Sequence, residues 1–121
     1  MYEDRIKRIE HKGKRIFSLD YSNMSAEKLP DMFEEIKKAI VNEPPKSVLC
    51  LVCLDNLHFS TKTLSLFNKL TEEIKPYDKA TAVLGVKGLI KVMYDGYSKL
   101  AKQQVKTFEN KNEALDWLAS L

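Results

Sequence analysis

Lys79-Ala-Thr-Ala-Val-Leu-Gly85-Val-Lys-Gly88-Leu-Ile-Lys91 is the stretch on which the reading of this chain turns. A short apolar run, Ala80 to Leu84, passes straight into two glycines and then into a segment whose apolar residues return at helical spacing. Strand, glycine joint and helix in that order form the joint of an α/β domain. The same arrangement aims backbone N–H groups and the Lys87 and Lys91 ammonium groups past the carboxyl edge of a sheet, where a helix N-terminus favours an anion. Both readings fit the residues. The spacing Gly85-Val-Lys-Gly88 matches neither phosphate-loop fingerprint.

Outward from this joint the pattern repeats. Ser47-Val-Leu-Cys-Leu-Val-Cys-Leu54 has almost no polarity and is bounded by Pro44-Pro45 and Asp55-Asn56, which reads as a central strand covered on both faces. Arg5 to Glu10 and Lys14 to Asp20 read as a hairpin around His11-Lys12-Gly13. Leu29, Met32, Phe33, Ile36 and Ile40 mark one face of a first helix, with Ser25 as its expected N-cap and Pro30 tolerated in its first turns. Thr61 to Lys75 is a second helix, Leu89 to Ala101 a third, Val105 to Phe108 a last strand, and Asn110-Lys-Asn-Glu113 caps a fourth helix running to Leu121. The order ββαβαβαβα implies an α/β fold, a mixed but mostly parallel central sheet with helices packed on it and an antiparallel edge from the hairpin. Residues 1–121 are expected to form a single domain.

Composition excludes several classes. At 44% hydrophobic and 31% charged residues, the chain has the make-up of an ordinary globular protein. No apolar run approaches the ~20 residues of a membrane span. The first residues, Met-Tyr-Glu-Asp-Arg-Ile-Lys-Arg, carry no apolar signal core, and two cysteines fit a reducing compartment, so a cytoplasmic location is expected. The net charge of +3 does not call for nucleic acid, and the lysines are not interleaved with stacking aromatics, apart from Tyr94 and Tyr97. Residues 79–106 nonetheless hold six lysines against Asp95 alone.

Three groups of residues invite a chemical reading. Cys50-Leu-Val-Cys53 has redox spacing, but within an extended strand three residues span ~10 Å with side chains on opposite faces, beyond disulfide reach. These cysteines read as small buried hydrophobes, and no second ligand pair completes a zinc site. Asp55, His58 and Ser60 name a Ser/His/Asp set, yet they lie within six residues with no nucleophile elbow, so no catalytic residue is assigned. The simpler role of Ser60 or Thr61 is to cap the second helix. Asp20-Tyr21-Ser22-Asn23 ends an earlier strand on the same edge and serves either a shared crevice or loop solvation.

The leading hairpin, Lys14-Arg-Ile-Phe-Ser-Leu-Asp-Tyr-Ser22, the Ala80-Thr-Ala-Val-Leu-Gly joint and the ending Phe108-Glu-Asn-Lys-Asn-Glu-Ala-Leu-Asp-Trp-Leu118 together resemble the SpoIIAA-like branch of the STAS superfamily, a group also placed beside Sec14-like lipid binders. The resemblance covers nearly the whole chain and implies a small bacterial or archaeal cytoplasmic α/β domain that binds rather than catalyses; separately, the residues lead to no expected cofactor or metal. Anti-anti-sigma members carry a phosphorylatable Ser in an Asp-Ser-Ser-Gly-type motif at the start of the helix after the central strand. The matching place is Asp55 to Thr61, where no glycine follows and His58-Phe59 replace the small residues, leaving Ser60 and Thr61 as the hydroxyls open to phosphorylation.

Two functions follow as expectations. One is a regulatory protein-interaction domain whose partner docks around Asp55, Asn56, His58, Ser60 and Thr61. The other is a module binding a small anionic or lipid-like ligand beside Gly85, Lys87, Gly88 and Lys91. A homodimer is compatible with a domain this small, although no heptad or exposed apolar stripe specifies its interface.

Overall fold

The computed structural model describes residues 2–57, 60–85 and 105–121. The expected third helix, Leu89 to Ala101, lies outside them. The described order is β1 (Ile6–His11), β2 (Lys14–Asp20), α1 (Leu29–Ile40), β3 (Val48–Cys53), α2 (Thr61–Ile74), β4 (Asp78–Leu84), β5 (Val105–Phe108) and α3 (Lys111–Ala119). The five strands form one sheet in sequence order, β1 antiparallel to β2 and every later neighbour parallel.

The hairpin follows from Lys12 and Gly13. Both take positive φ, 51° and 82°, the pairing a two-residue type I′ turn demands. A correction falls at the next connection. Ser25 makes no side-chain capping bond; a 3₁₀ turn over Ala26–Lys28 leads into α1, whose first turn holds Pro30, where its missing N–H is harmless.

Strand β3 is covered on both sides, as its unbroken apolarity requires. Val48, Cys50 and Val52 join Phe17, Leu19 and Val83 beneath α1 and α2, which supply Ile36, Ile40, Phe67 and Leu70. Leu49 and Leu51 face the other way and meet Ile16, Ala80 and Ala82 under Ala114, Leu115 and Leu118 of α3. Crossovers that step along the sheet in one direction with right-handed twist place their helices on one face, which is why α1 and α2 share a side. The last helix takes the opposite face, where two alanines of β4 let it sit close. Three rings lock the first face: Tyr21 lies 5.0 Å from Phe67 and 5.9 Å from Phe33, edge to face, and Phe33 lies 5.2 Å from Phe67. Tyr21 immediately follows β2, so these contacts, worth ~0.5–1.5 kcal/mol each beyond area burial, pin the carboxyl edge of the sheet to both helices.

Strand β4 begins one residue earlier than its sequence suggests and carries a bulge. Val48 pairs with Asp78 and Leu49 with Ala80, so Lys79 is the extra residue. Without it Asp78 and Thr81 would point to opposite faces; with it the Thr81 hydroxyl donates to the Asp78 carboxylate at 3.0 Å. Asp78 is only 9% exposed, and its other oxygen has no hydrogen-bond partner among the described residues.

Candidate functional site

The carboxyl ends of β2, β3 and β4 lie side by side, and the segments that leave β2 and β3 are tied backbone to backbone and to the end of β4. Tyr21 N–H donates to the Cys53 carbonyl at 2.9 Å, Asn23 N–H to the Asp55 carbonyl at 2.9 Å, and Leu54 N–H to the Leu84 carbonyl at 2.9 Å. Arg5 adds a clamp from the antiparallel edge, its guanidinium donating to the carbonyls of Asp20 at 3.0 Å and Ser22 at 2.9 Å. The Asp20 carboxylate accepts from Ser22 N–H at 2.9 Å and closes the turn.

Three residues on this edge sit in the left-handed region: Asn23 at φ 60°, Asn56 at φ 57° and Gly85 at φ 84°. Asn tolerates that region better than most residues, and Gly occupies it freely. Gly85 is needed for a second reason. A Cβ there would fall on the Asp55 side-chain oxygen and 2.7 Å from the Asp55 amide nitrogen. The glycine is thus explained by close approach of one loop to the next.

Of the residues singled out by sequence, Asp55, Asn56, Ser60, Thr61 and Gly85 are described; His58, Lys87, Gly88 and Lys91 lie outside the described residues. Asp55 and Asn56 are exposed, and the Asp55 carboxylate accepts a weak bond from the Cys53 thiol at 3.5 Å. The two hydroxyls part company. Ser60 is half-buried and caps α2, accepting from Thr63 N–H at 3.2 Å, with its oxygen 3.1 Å from the Thr63 hydroxyl. Thr61 is exposed on the first residue of α2, a helix with no acidic side chain in its first turn. Its N-terminal partial positive charge is therefore not offset locally.

The cysteines are free. Burial pushes the Cys50 thiol well above its ordinary range, and burial also raises that of Cys53, with the Asp55 and Asp20 carboxylates adding to the effect. A thiol held protonated is a poor nucleophile and a poor metal ligand. Among the described residues no group of three or more His, Cys, Asp and Glu side chains could hold a metal ion.

Sequence reasoning named Asp55 and Asn56 as a polar loop but missed the role of Asn23 and the Arg5 clamp. For Asn23 a signal existed in its preference for left-handed turns. For Arg5 none did, since its partners are main-chain carbonyls 15 and 17 residues away.

The five-stranded mixed sheet with helices on both faces is the SpoIIAA-like fold of STAS domains. Among solved structures the chain is similar to an uncharacterized protein of the DUF3478 family with a SpoIIAA-like fold from Shewanella loihica PV-4, at 19% identity and a TM-score of 0.77, over 93% of this chain and 91% of that one. It is also similar to an anti-sigma-factor antagonist (STAS) domain protein from Planctomyces limnophilus, at 15% identity and a TM-score of 0.62, covering 94% and 97% of the two chains. An anti-sigma factor antagonist from Mycobacterium paratuberculosis matches at 14% identity and a TM-score of 0.57, covering 94% and 92%. No family model and no curated protein matches the sequence. No helix among the described residues is long and apolar enough to cross a membrane.

Proposed function

We propose that this domain is a non-enzymatic regulatory module that works in the cytoplasm by docking a protein partner on the carboxyl edge of its sheet, around Asp55, Asn56 and the start of α2. The observation that carries this reading is the construction of that edge. The segments that leave β2 and β3 are held by main-chain hydrogen bonds to each other and to the end of β4, with Asn23, Asn56 and Gly85 in the left-handed region, while the side chains of Asp55, Asn56 and Thr61 stay exposed. Polar groups presented on a rigid frame suit recognition, because little side-chain and loop entropy is lost on binding. The likeness to anti-sigma factor antagonists supports the same class of function.

Of the two hydroxyls, Thr61 is the proposed phosphorylation position, since the Ser60 hydroxyl is spent on the cap. A phosphate on Thr61 would add about −1.5 to −2 charges at a helix N-terminus and beside the Asp55 loop, changing the charge of the edge without unfolding it. The small-ligand alternative at Gly85, Lys87, Gly88 and Lys91 keeps only Gly85 among the described residues, and Asp55 already accounts for that glycine.

The test is affinity capture from cells with wild type, Asp55→Lys and Thr61→Glu, each verified as folded. A specific partner held by wild type and lost by both variants is the expected outcome. A partner retained equally by all three would place the interface elsewhere and sink the proposal.

A further inference from the structure

We infer that a second site lies at the opposite, amino-terminal edge of the sheet, in a basic cleft that takes a small polyanion carrying two or more phosphate or carboxylate groups. The cleft has a volume of about 380 Å³, within the roughly 300–1,000 Å³ typical of ligand sites. Phe17 and Leu49 lend it apolar lining from the two faces of the sheet, while Lys14, Arg15, Lys46 and Lys79 line it with Glu43 as the one acidic side chain among the described lining residues. Cations gathered in one concavity raise the local positive potential and concentrate anions there.

Existing contacts account for part of this charge. Arg15 lies 3.7 Å from Glu43, Lys14 reaches the Leu121 main-chain oxygen at 3.3 Å, and Lys46 reaches the Lys75 carbonyl at 3.5 Å, just past the end of α2. All are long and Lys14, Arg15 and Lys46 are themselves exposed, so these contacts hold the cationic side chains weakly. Lys79 forms no such contact among the described residues. It is also the extra residue of the β4 bulge, a device that re-aims side chains. The bulge turns Asp78 into the core, where one oxygen goes unpartnered, and leaves Lys79 lining the cleft. A sheet shaped for stability alone gains from neither placement, and such local conflicts concentrate where a protein binds something.

Isothermal titration of the full chain with pyrophosphate, citrate and inorganic phosphate tests the site, with sodium chloride at matched ionic strength as control. Pyrophosphate or citrate should bind one to one and inorganic phosphate more weakly; the tighter of the first two identifies the phosphate or the carboxylate source. Because a charge-assisted contact is worth ~1.5–3 kcal/mol, Lys79→Ala and Arg15→Ala should each weaken binding roughly tenfold or more, and Lys62→Ala on α2 should not. Amide resonances of Ser47, Leu49 and Lys79 should shift while those of Asp55 and Thr61 stay still, which separates this site from the docking edge. Without any probe, Lys79→Ala should be as stable as wild type or more so, since it removes repulsion. Binding no stronger than the sodium chloride effect, affinity unchanged in both cleft variants, or a Lys79→Ala protein that loses stability would overturn the inference.

Discussion

Replacing Asp78 with Asn should change how stability depends on pH. Burial pushes the Asp78 carboxyl from 3.8 to about 6, and the Thr81 hydroxyl and the Lys46 charge pull it back only in part. Between those two values the native state keeps a proton that the unfolded chain has lost, so the free energy of unfolding falls as pH rises through that interval. Below 3.8 both states are protonated and the contribution is flat; above about 6 both are ionised and the full cost is present. The difference of ~2.2 units (about 6 minus 3.8) at ~1.36 kcal/mol per unit amounts to ~3 kcal/mol. An Asn amide cannot ionise, but its NH₂ would inherit the partnerless position at a pH-independent cost of ~1–3 kcal/mol. The informative quantity is therefore the gap between wild type and Asp78→Asn, followed by urea unfolding from about pH 4 to pH 8. That gap should move in favour of the variant by most of ~3 kcal/mol and level off above about pH 6. Thr81→Val removes the hydroxyl that donates to the carboxylate and should raise the Asp78 midpoint further when side-chain carboxyl resonances are titrated. A gap constant across the range, or a midpoint near the ordinary aspartate value, would refute the account of a carboxyl buried by the bulge.

Other positions give sharper contrasts in denaturation experiments. Gly85→Ala must place a Cβ against Asp55 at φ 84°, and should cost on the order of 2–3 kcal/mol, whereas Gly13→Ala meets nothing within 4 Å and should cost only the ~1–2 kcal/mol of the left-handed backbone. Ser60→Ala removes the α2 cap and should cost ~1 kcal/mol, most of it restored by Ser60→Asp; equal stability of all three proteins would deny the capping role. Asn110 accepts from the N–H groups of both Asn112 and Glu113, so Asn110→Ala should cost ~1–2 kcal/mol in the same assay. Ile36, fully buried between α1 and the sheet, should lose ~2–5 kcal/mol as Ile36→Ala, with the loss appearing at unchanged denaturant slope.

Most of the architecture was legible because each layer of the fold writes a strong period into the chain. The nearly apolar run from Ser47 to Leu54, bounded by Pro44-Pro45 and Asp55-Asn56, is short enough to read as a strand covered on both faces, and the spacing of Leu29, Met32, Phe33, Ile36 and Ile40 buries one side of a helix. The start of α1 was misread because Ser25 looks like a cap in isolation, while the choice of a 3₁₀ turn there depends on neighbours that local pattern does not reveal. The bulge at Lys79 was illegible for a related reason. A bulge is a mismatch between two strands, and neither strand alone records it. The candidate edge was half legible. Polar residues after apolar runs mark a carboxyl edge, but the Arg5 clamp and the Gly85–Asp55 approach are contacts between segments far apart in sequence.

The glycine joint and its lysines suggest positive charge at the carboxyl edge, but among the described residues there the Arg5 cation is spent on main-chain carbonyls and two carboxylates stand on the same edge. Asp20 and Asp55 end β2 and follow β3 on that side, and the Cys53 thiol registers both carboxylates. The basic side chains gather at the other end, where β2, β3 and β4 begin. A parallel sheet makes that separation natural. It points helix C-termini, with their exposed carbonyls, at the amino edge of the strands, and lysines such as Lys46 answer those carbonyls. The surplus beyond that answer is what a polyanion would read. A partner docking at Asp55 and Thr61 and an anion held by Arg15 and Lys79 would thus occupy opposite ends of β3, so the two can bind together. Both β3 and α2, which runs from Thr61 to just before the Lys75 carbonyl that Lys46 reaches, join the two ends, and a titration of pyrophosphate in the presence and absence of a captured partner would measure any coupling directly as a ratio of affinities.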